Sequence, residues 1–128
     1  MRSTRFAAMI AATALAFISG PAMAHSKLVS STPPANSTVA KPSKIILKFN
    51  EKIIGKMTGA ELMMTGMPGM ADHAPMKIAG FNSQMGTDGK SVTFLLKRPL
   101  VPGTYKVSWH TAGADTHHMG GNFSSTVK

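Results

Sequence analysis

The apolar positions of this chain come in short alternating runs. In "SKIILKFNEKI" (43–53) Ile45, Leu47 and Phe49 fall on one face, and in "SVTFLLK" (91–97) Val92, Phe94 and Leu96 do the same. "TYKVSWH" (104–110) sends Tyr105, Val107 and Trp109 to one side and Lys106, Ser108 and His110 to the other. A period of two marks half-buried β-strands. "KLVSSTP" (27–33), "TGAELMM" (58–64), a short "KIAGF" (77–81) and "GGNFSSTVK" (120–128) complete the set. Pro33-Pro34, Asn36-Ser37, the hairpin-like Thr87-Asp88-Gly89-Lys90 and "RPLVPGTY" supply turns between them. Short strands divided by turn signals predict a small all-β sandwich or barrel. No amphipathic helix of useful length interrupts them.

Leu100-x-x-Gly103-x-Tyr105 looks like the tyrosine corner of immunoglobulin-like sandwiches, in which the Tyr hydroxyl bonds back to nearby backbone. That favours a sandwich over a barrel.

The first two dozen residues follow a different pattern. Arg2 and Arg5 precede the apolar run "FAAMIAATALAFI" (6–18), "SGP" breaks it, and Ala22-Met23-Ala24 offers small residues where a signal peptidase reads. This is the layout of a secretory signal peptide, and the run is too short to span a bilayer. The expected division is therefore a leader at 1–24 and one domain at 25–128.

Charge changes the picture little. Losing Arg2 and Arg5 with the leader takes the formal net charge from +9 to +7. The remaining lysines are scattered, and one Trp and one Tyr provide no stacking series, so a nucleic-acid or membrane-surface role is not expected. The absence of cysteine removes both disulfides and thiolate metal sites.

Three stretches carry chemistry. Cleavage after Ala24 makes His25 the first residue, with a free amine beside its imidazole. That amine has an ordinary pKa of about 7.7–8.0, so deprotonating it for a metal costs little near neutrality.

In "GADTHHMGG", Asp115 and His117 are two apart and share a side if the segment is extended. With His25 they make three nitrogens and one carboxylate oxygen. That set suits tetragonal Cu(II); zinc is able to use the same donors. His118 is the alternative ligand if the segment is not extended. His110 reads as a surface residue.

The third stretch, "ELMMTGMPGMADHAPM" (61–76), holds five of the eleven methionines. Met63 reads as core. Gly66, Pro68, Gly69 and Pro75 forbid a regular helix or central strand, which puts Met67, Met70 and Met76 on a surface loop. Neutral thioethers prefer Cu(I) to hard cations. Met64, Met67, Met70 and Met76, with His73 as a nitrogen donor, are the candidate ligands for one such ion.

At this point a resemblance becomes specific. "HSKLVSSTPPANS" from His25, "LMMTGMPGM" followed by His73 and "APM", the "LVPGTYKVSW" strand and "DTH" occur in the order found in the CopC/PcoC family of periplasmic copper-resistance proteins. The similarity covers residues 25–128. It implies a Greek-key β-sandwich or barrel, a Cu(II) site on His25, Asp115 and His117 at one end, and a Cu(I) site on the methionine loop at the other. It also implies a monomer in the periplasm whose partners are other copper proteins and a CopD-like inner-membrane copper transporter.

Two rival functions make different demands. A secreted copper-dependent oxygenase with an N-terminal histidine brace needs an open coordination position that Asp115 would fill, and a flat aromatic surface that this chain lacks. An immunoglobulin-like adhesion module makes the methionine cluster and His25 coincidences. The expectation is a copper carrier, not an enzyme.

Overall fold

The computed structural model describes residues 27–70 and 73–128. Nine strands and one 3-10 turn follow one another: β1 (Leu28–Thr32), β2 (Thr38–Val39), β3 (Lys44–Phe49), the turn at Gly55–Met57, β4 (Gly59–Gly66), β5 (Met76–Ile78), β6 (Asn82–Met85), β7 (Ser91–Leu95), β8 (Gly103–Ala112) and β9 (His118–Val127). They form two sheets, one ordered β1-β3-β7-β6 and the other β2-β9-β8-β4-β5. β3 pairs with β7 and β4 with β8 inside their sheets because the chain crosses from one sheet to the other between β3 and β4, β5 and β6, and β7 and β8, a Greek-key arrangement. The fold is thus the all-β sandwich that the alternation predicts.

The inward positions meet between the sheets. Ile45, Leu47 and Phe49 from β3, Val92 and Phe94 from β7, and Tyr105 and Val107 from β8 are all buried. Each such side chain contributes roughly 1.5–3 kcal/mol of burial free energy. Trp109 packs edge-on against Phe49, with ring centroids 5.2 Å apart. The expected corner forms: the Tyr105 hydroxyl donates to the Val101 carbonyl at 2.7 Å. Burial pushes that hydroxyl's pKa up.

Several boundaries differ from the sequence reading, each for a local reason. The run at 43–53 leaves its sheet at Asn50, whose Oδ1 accepts the Lys27 N–H at 2.5 Å while its own N–H donates to Lys27 O. Gly80, at φ +83°, ends the "KIAGF" run, and the chain then moves to the other sheet as β6. The short β2 pairs parallel with β9 through Thr38↔Thr126 and Val39↔Val127.

Registers sort the connections into two ends. Lys27, Asn50, the Gly86–Lys90 turn and the Gly113–His117 segment share one end, tied by Ile53 N–H to Gly89 O, Ile54 N–H to Ala112 O and an Ile53↔Gly113 bridge. Met67–Met70, Met76, Leu95 and the Val101–Tyr105 corner lie at the other, because Gly66 pairs with Thr104 and Met64 with Met76.

Candidate metal centre

The segment between β8 and β9 is a turn rather than the extended chain expected. Thr116 N–H donates to Gly113 O at 2.9 Å, and Thr116 itself adopts φ +65°. A β-branched residue rarely accepts a positive φ; such strain costs of order 1–3 kcal/mol and gathers at functional sites.

The turn still brings Asp115 and His117 together. Asp115 Oδ2 lies 2.8 Å from His117 Nδ1, and Asp115 Oδ1 accepts the His117 backbone N–H at 3.2 Å. Both groups are exposed. The His117 side chain, then its backbone N–H, holds the Asp115 carboxyl below its usual range. A carboxylate on Nδ1 is the arrangement by which a metal-binding histidine is oriented to ligate through Nε2.

The neighbouring histidines point elsewhere. His118 opens β9 opposite Ala112, and His110 stands exposed on the outer face of β8 between Gly59 and Gly120. Met119 is half-buried opposite Thr111. His25 lies outside the described residues. Among the described residues no three His, Cys, Asp or Glu side chains gather into a metal-binding group.

At the opposite end the methionines divide into two kinds. β4 runs on to Gly66, so Leu62 and Met64 face inward and Met63 outward. Met64 is 5% exposed and belongs to the core. It reaches the candidate site only as a buried side chain, unlike the loop donor the sequence suggests. Met76 is not on a loop either. It begins β5 directly opposite Met64 and remains 53% exposed because β5 is a sheet edge.

Met67 and Met70 flank a tight turn instead of a flexible loop. Each N–H donates to the other's carbonyl at 2.9 Å, with Pro68 and Gly69 at the corner. Gly69 has φ +81°, which a type II turn requires at that position. A directly opposed pair of this type has Cα atoms about 5.5 Å apart and both side chains on one side. Both thioethers are exposed.

His73 N–H donates to Thr65 O at 3.2 Å, tying His73 to the end of β4. Its Nδ1 lies 2.7 Å from Ala74 O, whereas Nε2 is buried with no hydrogen-bond partner. An orphaned imidazole nitrogen at the end of the sandwich that holds the methionines fits a soft monovalent ion. The Pro68-Gly69 dipeptide was the sequence signal for the turn. The strain at Thr116 had none.

Comparisons with known proteins agree with this fold. The CopC domain matches residues 28–128. Copper resistance protein C of Escherichia coli is 48% identical over 107 residues, covering 84% of each chain. Copper resistance protein C of Pseudomonas syringae pv. tomato is 42% identical over 128 residues, covering 100% of this chain and 98% of that one. The crystal structure of PcoC, a methionine-rich copper resistance protein from Escherichia coli, superposes with a TM-score of 0.74 at 45% identity, covering 82% of this chain and 100% of the other.

Proposed function

The chain belongs to the CopC-domain family, and from that premise we propose that it is a periplasmic copper carrier serving copper resistance and homeostasis. Residues 1–24 are its export signal and residues 25–128 its copper-binding domain. Copper is the cargo, held as Cu(II) by His25, Asp115 and His117 and as Cu(I) by Met64, Met67, Met70, His73 and Met76.

The observation that carries this reading is the separation of hard and soft donors onto opposite ends of one sandwich. At the first end, Asp115 orients His117 through Nδ1 and adds negative charge. Lys27 is held at that same end by Asn50. His25, the proposed third ligand, precedes Lys27 by two positions in the sequence. At the second end, Met67, Met70 and Met76 are exposed and His73 Nε2 is unpartnered. Met64 joins them by turning its sulfur from the core toward its register partner Met76.

The oxidation state of the ion then decides where it is held. The protein acts as a monomer that passes copper to or from other periplasmic copper proteins and a CopD-like inner-membrane transporter. It performs no catalytic step. Among the described residues no helix is long and apolar enough to cross a membrane.

Copper titration tests the scheme. Adding one residue before His25 lowers Cu(II) affinity by about ten- to a hundredfold, the range seen when a metal's supporting groups are lost, and leaves Cu(I) unchanged. Met67→Leu with Met70→Leu does the reverse. An extension that weakens both ions equally, or neither, overturns the assignment.

A further inference from the structure

The methionine end exposes apolar side chains beyond the proposed copper donors, namely Leu95 and Val101. Of the six large apolar side chains exposed among the described residues, five lie here: Met67, Met70, Met76, Leu95 and Val101. Exposed apolar residues gathered in one region mark an interaction site. Beside them runs an open groove of about 380 Å³. Ile78, Leu100 and Tyr105 contribute apolar surface to it, while Lys77, Lys97 and Arg98 supply three cations. No described residue lining it is acidic.

The groove is preformed. One wall is the β7–β8 connection, fixed by the bond from the Tyr105 hydroxyl to Val101 O and by Leu100 N–H donating to Pro42 O. The other is β5, which ends its sheet and has a strand on only one side. Lys97 lies over Gly80, whose positive φ turns the chain between the sheets; a Cβ there would stand 2.8 Å from Lys97 Cε. One cation is thereby laid across the segment that joins the two edge strands.

We propose that this groove docks an extended acidic–apolar segment of a partner protein, added as a strand to the outer edge of β5. Strand addition supplies main-chain hydrogen bonds, and alternate side chains supply specificity. Here one set of side chains enters the floor at Ile78, Leu100 and Tyr105. The carboxylates of the other set meet Lys77, Lys97 and Arg98. The docked segment lies beside Met76, which adjoins Lys77. That the partner is a protein exchanging Cu(I) rests on the carrier reading above; the groove's choice of an acidic strand does not.

The probe is a synthetic peptide, acetyl-Glu-Val-Asp-Val-Glu-Leu-amide, titrated into the isotope-labelled protein and followed by amide chemical shifts. Shifts are expected at residues 77–79 and 96–101. Affinity falls at least tenfold in Lys97→Glu with Arg98→Glu, and in the milder Lys97→Gln with Arg98→Gln should the reversal fail to fold. It falls similarly when lysines replace the acids of the peptide, or when N-methylation blocks one of its edges. Met67→Leu with Met70→Leu binds the peptide as the parent does, which separates this test from that of the copper site. Absence of shifts, equal binding by the charge variants, or binding to phosphatidylglycerol vesicles in place of the peptide overturns the proposal.

Discussion

At one end of the sandwich Met67 and Met70 are held by reciprocal backbone bonds across Pro68–Gly69; at the other, Asp115 and His117 are held by each other across a strained threonine. The first arrangement is fixed by main chain alone, and its donors are neutral. The second depends on side-chain hydrogen bonds and a carboxylate, and its proposed third member arrives only when a peptide bond upstream is cut. The Met67–Met70 turn is therefore built by main chain before any ion acts on it, whereas the Asp115–His117 pair answers to acid and to the turn between β8 and β9.

Substitution at the methionine end tests the division between buried and exposed sulfur first. Met64→Ala is expected to cost about 2–5 kcal/mol of unfolding free energy, the range for truncating a buried Met. Met67→Ala stays within about 0.5 kcal/mol, as exposed positions do. Denaturant melts of the two variants in metal-free buffer make the measurement. Equal losses would mean that Met64 is not part of the core.

A smaller effect concerns the corner beneath the groove. Tyr105→Phe removes the bond to Val101 O and lowers stability by about 1 kcal/mol, with little change in Cu(II) binding at the far end. At that far end, Thr116→Gly relieves the positive φ and raises or preserves stability by up to about 1 kcal/mol, while weakening Cu(II) binding through a looser His117. A variant that loses stability without altering copper affinity would show that the strained turn serves folding only.

The smallest effect is a response to acid. Lys90 N–H chiefly lowers the Asp88 carboxyl, and His117 lowers Asp115. Both carboxyls have folded pKa values below their ordinary 3.8. Their contribution is thus complete above that value and is lost as pH falls through the lower, folded pKa. Only Pro68 and Gly69 lie between Met67 and Met70, and neither titrates. Amide exchange in the metal-free protein should accelerate in acid at Lys90 and His117 before it does at Met67 and Met70.

Much of the fold was legible because burial imposes a period of two. Ile45, Leu47 and Phe49 announce β3, and Leu100, Gly103 and Tyr105 announce the corner. β6 left no such trace: Asn82, Ser83 and Gln84 are all exposed on an edge strand, so neither face needs apolar residues. β2 is two residues held by its pairing to β9, a long-range contact that local sequence does not encode.

The candidate donors stand out in the sequence by their chemistry, and their geometry was only partly legible there. Asp115 and His117 meet as expected, but through a turn whose Thr116 conformation no propensity suggests. Met64 rather than Met63 is the core side chain, because β4 continues to Gly66 and so fixes which of the two faces inward. A one-residue difference in phase is enough to reverse such an assignment.

The length of β4 has a consequence for how two ions would share this molecule. Its eight residues, Gly59–Gly66, run from the histidine end to the methionine end. At roughly 3.3 Å per residue that is a span of about 25 Å. The screening length at physiological salt is about 8 Å, so a charge gained at one terminus of the strand is scarcely felt at the other. If the two proposed donor sets both hold copper, their loading is then expected to be additive, and an ion that changes valence would have to leave one end before binding at the other.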